Sequence, residues 1–216
     1  MYNLSHIIEE KTAFVQRDMP GEVLMSYNFF AYLSRMRYIQ RWALMRNTFQ
    51  ENIQEHSHQV AVLAHALAVI GREKFGSTVD PGQAAIAGLY HDAPEILTGD
   101  MPTPVKYDNP AIKEAYKAVE SVAADKLLSM LPPDLQGQIA PYIREELDPQ
   151  LLRVVKSADN LSAYLKCVEE VKAGNNEFKQ AARQTREALN RMELPELDYF
   201  LKNFLRGFEL NLDELQ

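Results

Sequence analysis

Apolar residues recur along this chain at the spacing of α-helices rather than that of β-strands. The helical pattern covers five segments: 58–76, 80–97, 109–131, 148–174 and 193–212. The sequence contains no alternating pattern that is typical of a strand. The pattern therefore predicts an all-α protein.

The ends of these segments carry cap and stop signals. Asp80 and Asp148 each precede a proline, which is typical of an N-cap followed by the first residue of a helix. Gly76 and Gly174 close two of the segments, as glycine often does after a helix. Pro94 lies late in segment 80–97 and is expected to end or kink that helix.

The breaker Pro20–Gly21 sets apart the first 25 residues. We expect one domain over residues 26–216, preceded by an N-terminal extension over residues 1–25. The sequence leaves open whether this extension is a short helix packed on the domain or part of a longer core.

Composition narrows the class of protein. The chain has 216 residues, of which 46% are hydrophobic and 25% charged, as in an ordinary soluble globular protein. A net charge of −7 argues against binding to DNA or RNA, although a small anionic substrate remains compatible with it. The single cysteine, Cys167, excludes an internal disulfide and fits a reducing compartment. Without a signal peptide or an apolar run of about 20 residues, we expect a cytoplasmic protein outside the membrane.

A few acids and histidines interrupt the apolar segments. Segment 88–110 contains His91, Asp92, Glu95 and Asp100. His56 begins the most hydrophobic helix, and Asp159 lies in another apolar run. A buried carboxylate is costly unless it is paired, hydrogen-bonded or bound to a metal. Two histidines and two aspartates without thiolates suit a divalent ion such as Mn²⁺, Co²⁺, Fe²⁺, Ni²⁺ or Zn²⁺.

The other histidines fit such a site less well. His58 is two residues from His56, so on a helix it points about 200° away. His65 lies in an apolar run and is more typical of a core histidine than of a ligand. His6 belongs to the N-terminal extension and is expected at the surface.

The residues His56, His91-Asp92 and Asp159 resemble the H…HD…D pattern of the HD-domain metal-dependent phosphohydrolases. Longer motifs resemble the bacterial 5′-deoxynucleotidase branch of that family from about residue 26 to the C-terminus. These motifs are RWALMRN (41–47), ENIQEHSHQVA (51–61), YHDAPEILTGDMPTPVKY (90–107), KSADNLSAYLKC (156–167) and EEVKAGNNEF (169–178). The resemblance implies a helical HD-domain bundle that forms a homodimer. It also implies an enzyme that converts 2′-deoxyribonucleoside 5′-monophosphates into deoxynucleoside and phosphate. It also implies one divalent ion, with Co²⁺, Mn²⁺ or Cu²⁺ the most typical, and Zn²⁺, Ni²⁺ or Fe²⁺ as further candidates.

The resemblance also implies roles for individual residues. The metal ligands are His56, His91, Asp92 and Asp159. Arg41 and Trp42 orient the phosphate, and Glu95, Asp100 and Trp42 are the catalytic residues. The substrate-binding set comprises Arg41, Trp42, His56, Asp92, Asp159 and the loop residues Asp100, Met101, Pro102 and Thr103.

Some alternatives stay open from the sequence. On a continuous helix, Glu95 shares a face with His91 and Asp92, where it could deprotonate water or orient a ligand. Asp100 could bind a ribose hydroxyl or transfer a proton. The whole protein could instead be an HD-type hydrolase of a triphosphate or a signalling nucleotide, or a non-enzymatic helical module with a structural metal.

Overall fold

The structure is a computed structural model that describes residues 26–102 and 109–215. These ranges contain nine α-helices: α1 (Phe29–Leu33), α2 (Ile53–Phe75), α3 (Pro81–Tyr90), α4 (Glu95–Thr98), α5 (Pro110–Leu128), α6 (Pro133–Ile143), α7 (Pro149–Lys172), α8 (Lys179–Asn190) and α9 (Pro195–Phe204). Short 3₁₀ turns lie at Ser34–Tyr38, Asn176–Phe178, Leu205–Glu209 and Leu212–Glu214. No strand occurs in the described ranges, where an isolated bridge joins Gln40 to Asn52. The predicted all-α fold is confirmed.

Helix α2 begins five residues before the predicted segment because Asn52 caps it. The Asn52 side chain accepts hydrogen bonds from the backbone N–H groups of Gln54 and Glu55, and the Glu55 carboxylate accepts one from the Asn52 N–H. This reciprocal pair is a capping box. Gly76 ends the helix in the left-handed conformation, with φ of 69°, which costs glycine little. The predicted glycine stop is confirmed.

Helix α3 starts as expected, since the Asp80 side chain accepts the N–H of Gln83 at 2.8 Å. It ends at Tyr90, and α4 begins only at Glu95. Pro94 has no N–H to continue a helical ladder, and residues 91–94 form a turn instead. The predicted interruption near Pro94 is confirmed, so the HD pair lies on a turn rather than on a continuous helix.

Three helices, α1, α6 and α8, were not predicted. Residues 132–133 look like a pure breaker, and Pro141 lies inside α6. Helix α8 is rich in charged and amide residues and buries only Leu189, so few apolar residues mark it in the sequence. The apolar pattern on which the prediction relied therefore did not reveal these helices.

Helices α2 and α7 lie at the centre of the larger core. That core also includes side chains of α3, α8 and α9 and is rich in Leu, Val and Ala. The backbones of α2 and α3 approach closely, because a Cβ atom on Gly88 would lie 2.7 Å from the Cα atom of Ala61. Only glycine fits there without displacement. The close crossing brings the end of α3 beside the start of α2.

A second core cluster supports the turn that follows α3. Ala93 is fully buried among side chains of α1, α5 and α6 and the residues beside them, including Phe29, Leu127, Leu131 and Ile143. Since Ala93 lies directly after the HD pair, this packing holds the turn in place.

None of the helices in the described ranges is both long and apolar enough to span a membrane. The N-terminal extension lies outside the described residues.

Candidate active site

Four side chains from three separate segments meet near the start of α2. His56 comes from α2, His91 and Asp92 from the turn after α3, and Asp159 from α7. Nε2 of His56 lies 3.1 Å from Oδ1 of Asp159 and 3.5 Å from Oδ2 of Asp92. Nε2 of His91 lies 3.2 Å from Oδ2 of Asp92 and 3.9 Å from Oδ1 of Asp159. The structure thus brings together the four residues that the resemblance implies as ligands.

The surroundings of His91 select one tautomer of its ring. Nδ1 lies 2.8 Å from the carbonyl oxygen of Gly88, one turn earlier. Because a carbonyl oxygen only accepts hydrogen bonds, Nδ1 carries the proton in the neutral ring. Nε2 then presents its lone pair to the cluster. This atom is buried and makes no hydrogen bond to any described residue.

A hydroxyl group likewise selects the tautomer of the His56 ring. Nδ1 of His56 lies 3.1 Å from the Oγ atom of Ser162, and that hydroxyl donates its own proton to Oε1 of Gln59 at 2.6 Å. Ser162 can therefore only accept from the imidazole, which places the proton on Nδ1. Both histidines present Nε2 to the same small volume.

This set of donor atoms fits a divalent metal ion. Two imidazole lone pairs and two carboxylates face one another, an arrangement that needs a cation between them. Ligand atoms about 2.0–2.2 Å from one ion lie about 3 to 4 Å apart, as the measured separations do. The ligand atoms of His56, His91 and Asp159 lie within 4.8 Å of one another, and Asp92 adds a fourth.

Electrostatics keep both carboxylates ionised. Burial acts to raise the pKa of Asp92, but His91, His56 and Arg41 outweigh burial and hold that pKa far below its ordinary value. The pKa of Asp159 is also lowered, since the contact with His56 and the nearby imidazole of His91 outweigh burial. Burial and the cation of Arg41 lower the pKa of His56, which favours the neutral ring that a metal requires. Burial acts to lower the pKa of His91 as well, but the Asp92 carboxylate reverses the effect and raises it.

Arg41 and Trp42 lie beside the cluster on the loop between α1 and α2. Nη1 of Arg41 is 3.5 Å from Oδ2 of Asp92. Its Nε atom is 3.2 Å from Oε2 of Glu51, which also accepts the indole N–H of Trp42 at 2.8 Å. Burial acts to lower the pKa of Arg41, but surrounding carboxylates outweigh it and raise that pKa. In decreasing order of effect, these carboxylates belong to Asp92, Glu51, Asp159 and Asp100.

The remaining predicted residues follow the HD pair along the chain. The Glu95 side chain is buried, and its backbone N–H donates to the carbonyl oxygen of Asp92 at 3.0 Å. Asp100, Met101 and Pro102 are half-buried in the next loop, and the charge of Asp100 acts on Arg41. Thr103 lies outside the described residues, so its predicted role stays a prediction.

The competing histidines lie elsewhere. His58 is exposed on α2, as its turn away from His56 predicted. His65 is also exposed, so the prediction of a core histidine is wrong. It lies one turn from Val62 and Val69 on a face of α2 that no described helix covers. The prediction failed because it rested on the apolar sequence neighbours of His65.

Several functional contacts were not anticipated from the sequence. Glu51, Ser162 and the Gly88 carbonyl each orient a side chain of the cluster or its neighbour. The spacing of Ser162, three residues after Asp159, could have suggested a shared helical face. Glu51 lies on a loop, where no periodicity marks it.

The chain was compared with known families and proteins. The family model of the YfbR-like 5′-deoxynucleotidases matches residues 28–208. This chain belongs to that family. It is 50% identical over 189 residues to a 5′-deoxynucleotidase of Vibrio atlanticus, covering 87% of this chain and 97% of that protein. It is also 50% identical over 189 residues to the 5′-deoxynucleotidase YfbR of Escherichia coli, covering 87% and 95%. The predicted family and the predicted enzyme, a 5′-deoxynucleotidase, are confirmed.

Solved structures support the same fold. An HD-domain phosphohydrolase from Listeria innocua superposes with a TM-score of 0.72 at 22% identity, over 84% of this chain and 88% of that one. A cyanophage S-2L HD phosphohydrolase, bound to dA and one catalytic Zn²⁺ ion, superposes with a TM-score of 0.59 at 22% identity, over 83% and 95%. The predicted HD-domain bundle is therefore confirmed.

Proposed function

We propose that the cluster of His56, His91, Asp92 and Asp159 holds one divalent ion and hydrolyses the 5′-phosphate of 2′-deoxyribonucleoside monophosphates. The main observation that supports this proposal is that both imidazoles present Nε2 towards two ionised carboxylates, at separations of 3.1 to 3.9 Å. The membership of the YfbR-like family supports the substrate class.

The reaction breaks the bond between phosphorus and the 5′-oxygen, and water supplies the new oxygen on phosphorus. The uncatalysed reaction is among the slowest known, so charge must be stabilised and a nucleophile aligned. When bound, the ion supplies a Lewis acid for a phosphoryl oxygen and lowers the pKa of water. The protein side chains supply binding, orientation and proton transfer.

Arg41 binds the phosphate in this proposal. Its planar guanidinium offers several donors, which suits the oxygens of a phosphate. Because Nη1 already points at Asp92, a phosphate beside the ion lies within reach of the same group. Trp42, the next residue, forms a wall of the site and contacts the ring of Phe178 at a centroid distance of 5.3 Å.

Glu95 and Asp100 divide the remaining work. Glu95 is buried in the segment that carries two of the ligands, and we assign it the proton of the attacking water. That proton ends on the 5′-oxygen of the leaving deoxynucleoside. Asp100 and the loop residues Met101, Pro102 and Thr103 contact the substrate, with His56, Asp92 and Asp159 next to its phosphate. The homodimer that the resemblance implies and the cytoplasmic location that the sequence predicts stay predictions.

A substrate and metal panel tests this proposal. Protein stripped with a chelator is restored with one ion at a time, with Co²⁺, Mn²⁺, Cu²⁺, Zn²⁺, Ni²⁺ and Fe²⁺ as the series. Phosphate release is then measured from dAMP, AMP, dATP and a cyclic dinucleotide. We expect release from dAMP above all and none without an ion. Preference for dATP or the cyclic dinucleotide would support the rival hydrolase, and activity that survives chelation would overturn the role of the metal.

A further inference from the structure

One carboxylate oxygen holds both predicted phosphate-orienting residues. Oε2 of Glu51 lies 3.2 Å from Nε of Arg41 and 2.8 Å from Nε1 of Trp42. The Glu51 residue is 8% exposed, so little water competes for these bonds. From this anchor, Arg41 extends its other nitrogen, Nη1, towards Asp92 in the cluster. The guanidinium is therefore held at both ends.

The backbone places Glu51 opposite these two residues. Gln40 and Asn52 form an antiparallel bridge, and the N–H of Arg41 donates to the carbonyl oxygen of Glu51 at 2.9 Å. The bridge thus joins the two ends of the loop over residues 40–52, just before α2 begins. Arg41 and Glu51, ten positions apart in the sequence, therefore lie opposite each other beside this bridge.

Trp42 occupies an unfavourable backbone conformation within this loop. Its φ of 57° lies in the left-handed region, which bulky side chains seldom adopt. Such strain persists only where surrounding contacts over-determine it. The bond from the indole to Glu51 is one such contact, and the carbonyl oxygen of Trp42 accepts another from the N–H of Met45 at 2.9 Å.

We infer that Glu51 is a positioning residue that sets the directions of the Arg41 guanidinium and the Trp42 indole towards the cluster. This inference rests on the proposed function and concerns how the same site is built. The sign of the charge supports it, because a carboxylate beside a phosphate-binding arginine repels phosphate. Glu51 therefore opposes phosphate electrostatically, and its benefit must come from orientation.

The two readings of Glu51 predict opposite results for Glu51→Gln. If Glu51 only adjusted charge, its neutralisation would tighten the binding of phosphate and of dAMP. If it positions Arg41 and Trp42, the neutral amide oxygen of Gln holds the two donors less firmly than the carboxylate does. We then expect kcat/KM for dAMP to fall by about 10- to 100-fold, as for partners that orient functional groups elsewhere. Weaker inhibition by inorganic phosphate is expected with it.

The tryptophan provides a readout that needs neither substrate nor metal. Trp42 is the single tryptophan of the chain, so all indole fluorescence reports on this loop. In Glu51→Gln we expect a changed emission maximum and stronger quenching by acrylamide than in the wild type. The matched control is Glu73→Gln, the same change on an exposed residue of α2, which should leave emission and kcat/KM unchanged.

A double-mutant cycle completes the test. If Glu51 acts through Arg41 and Trp42, Glu51→Gln changes kcat/KM less in an Arg41→Ala background than in the wild type, since coupled residues are not additive. With Trp42→Phe added to that background, the change should be less than about 2-fold. Glu51→Asp keeps the charge but shortens the side chain, and it should show the same losses; it also replaces Glu51→Gln if that variant does not fold. Unchanged fluorescence with unchanged kcat/KM, or full additivity with Arg41→Ala, would overturn the inference. Failure of the proposed function would instead appear as a wild type that is inactive on dAMP.

Discussion

Oδ1 of Asp159 lies 3.1 Å from Nε2 of His56, although 103 residues separate them in the sequence. The contact joins the middle of α7 to the first turn of α2, the two helices at the centre of the larger core. The Ser162 hydroxyl of α7 also contacts Nδ1 of His56 at 3.1 Å, so α7 orients the imidazole of α2. The apolar packing of these helices therefore sets the geometry of the cluster.

Asp159→Ala tests whether α7 completes the site. Removing this carboxylate leaves two imidazoles and one acid, so we expect metal affinity to fall and metal-dependent release of phosphate from dAMP to drop by about 100-fold or more. Metal content after dialysis and kcat/KM are the measurements. The neighbouring change Asn160→Ala is the control, since the Asn160 amide donates to the Lys156 carbonyl on the same helix. Unchanged turnover in Asp159→Ala would contradict the assignment.

Glu95→Gln separates proton transfer from metal binding. The amide keeps the shape of the side chain but accepts no proton from water at neutral pH. We expect metal content to stay at the wild-type level while kcat falls by about 10²- to 10⁴-fold. Elemental analysis and steady-state kinetics measure the two effects separately. Normal kcat would remove Glu95 from the mechanism, and loss of metal would make it a supporting residue of the cluster instead.

Local signals in the sequence were sufficient for several helix ends. Asp80 and Gly76 act through their own backbone neighbourhood, so their effects could be read directly. Helix α8 could not be predicted in this way, because it has few apolar residues and buries only Leu189. His65 shows the opposite error, since apolar neighbours do not ensure burial when no described helix covers that face.

Some residues of the candidate site could likewise be predicted from the sequence, and others could not. Acids and histidines inside apolar runs are conspicuous, because burying them is costly without partners. His56, His91, Asp92 and Asp159 could be named for that reason, and the resemblance added the roles of Arg41 and Trp42. Glu51 was missed because its role depends on a bridge between Gln40 and Asn52, a contact that no helical period encodes.

Cys167 should be chemically inert in the folded protein. It is fully buried on α7, and burial raises the pKa of its thiol to about 12. Since the thiolate is the reactive species, we expect labelling by a disulfide reagent at pH 8 to be at least about 100-fold slower than in denaturant. Absorbance of the released chromophore should show one reactive thiol per unfolded chain.

An added surface cysteine provides the control for that experiment. Val122 is 68% exposed on α5, so Val122→Cys should introduce one thiol that reacts rapidly in the native state. Rapid labelling of two thiols in that native variant would show that Cys167 is accessible after all.

Removing one partner of a buried ion pair should destabilise the protein strongly. Nζ of Lys166 lies 2.5 Å from Oε1 of Glu170, and both residues are almost fully buried. Glu170 also accepts the backbone N–H and the hydroxyl of Thr48, and Lys166 donates to the carbonyl oxygen of Phe49. These bonds attach the loop of Arg41 to α7. Glu170→Gln leaves the Lys166 ammonium buried without its counter-charge, so we expect the free energy of unfolding in urea to fall by about 3–5 kcal/mol.

The pair between Arg144 and Asp125 is the exposed counterpart, with an N–O distance of 2.7 Å. Asp125→Asn should lower the free energy of unfolding by less than about 1 kcal/mol, because water screens that pair. The double variant Lys166→Met, Glu170→Gln should be more stable than Glu170→Gln alone, since it removes the uncompensated charge. Equal losses in Glu170→Gln and Asp125→Asn would contradict the special role of the buried pair.

The same pair predicts a dependence of stability on pH. Burial acts to raise the pKa of Glu170, but hydrogen bonds from Lys166, Asn175 and Thr48 outweigh it and lower that pKa from 4.5 to about 2. A carboxyl whose pKa is lower in the folded state stabilises the protein fully above its unfolded pKa, and this contribution is lost as the pH falls through the folded pKa. The difference in unfolding free energy between the wild type and Glu170→Gln should therefore be constant near neutral pH and shrink below about pH 4.5. Urea titrations at a series of pH values measure it, and a difference that grows on acidification would exclude this ionised pair.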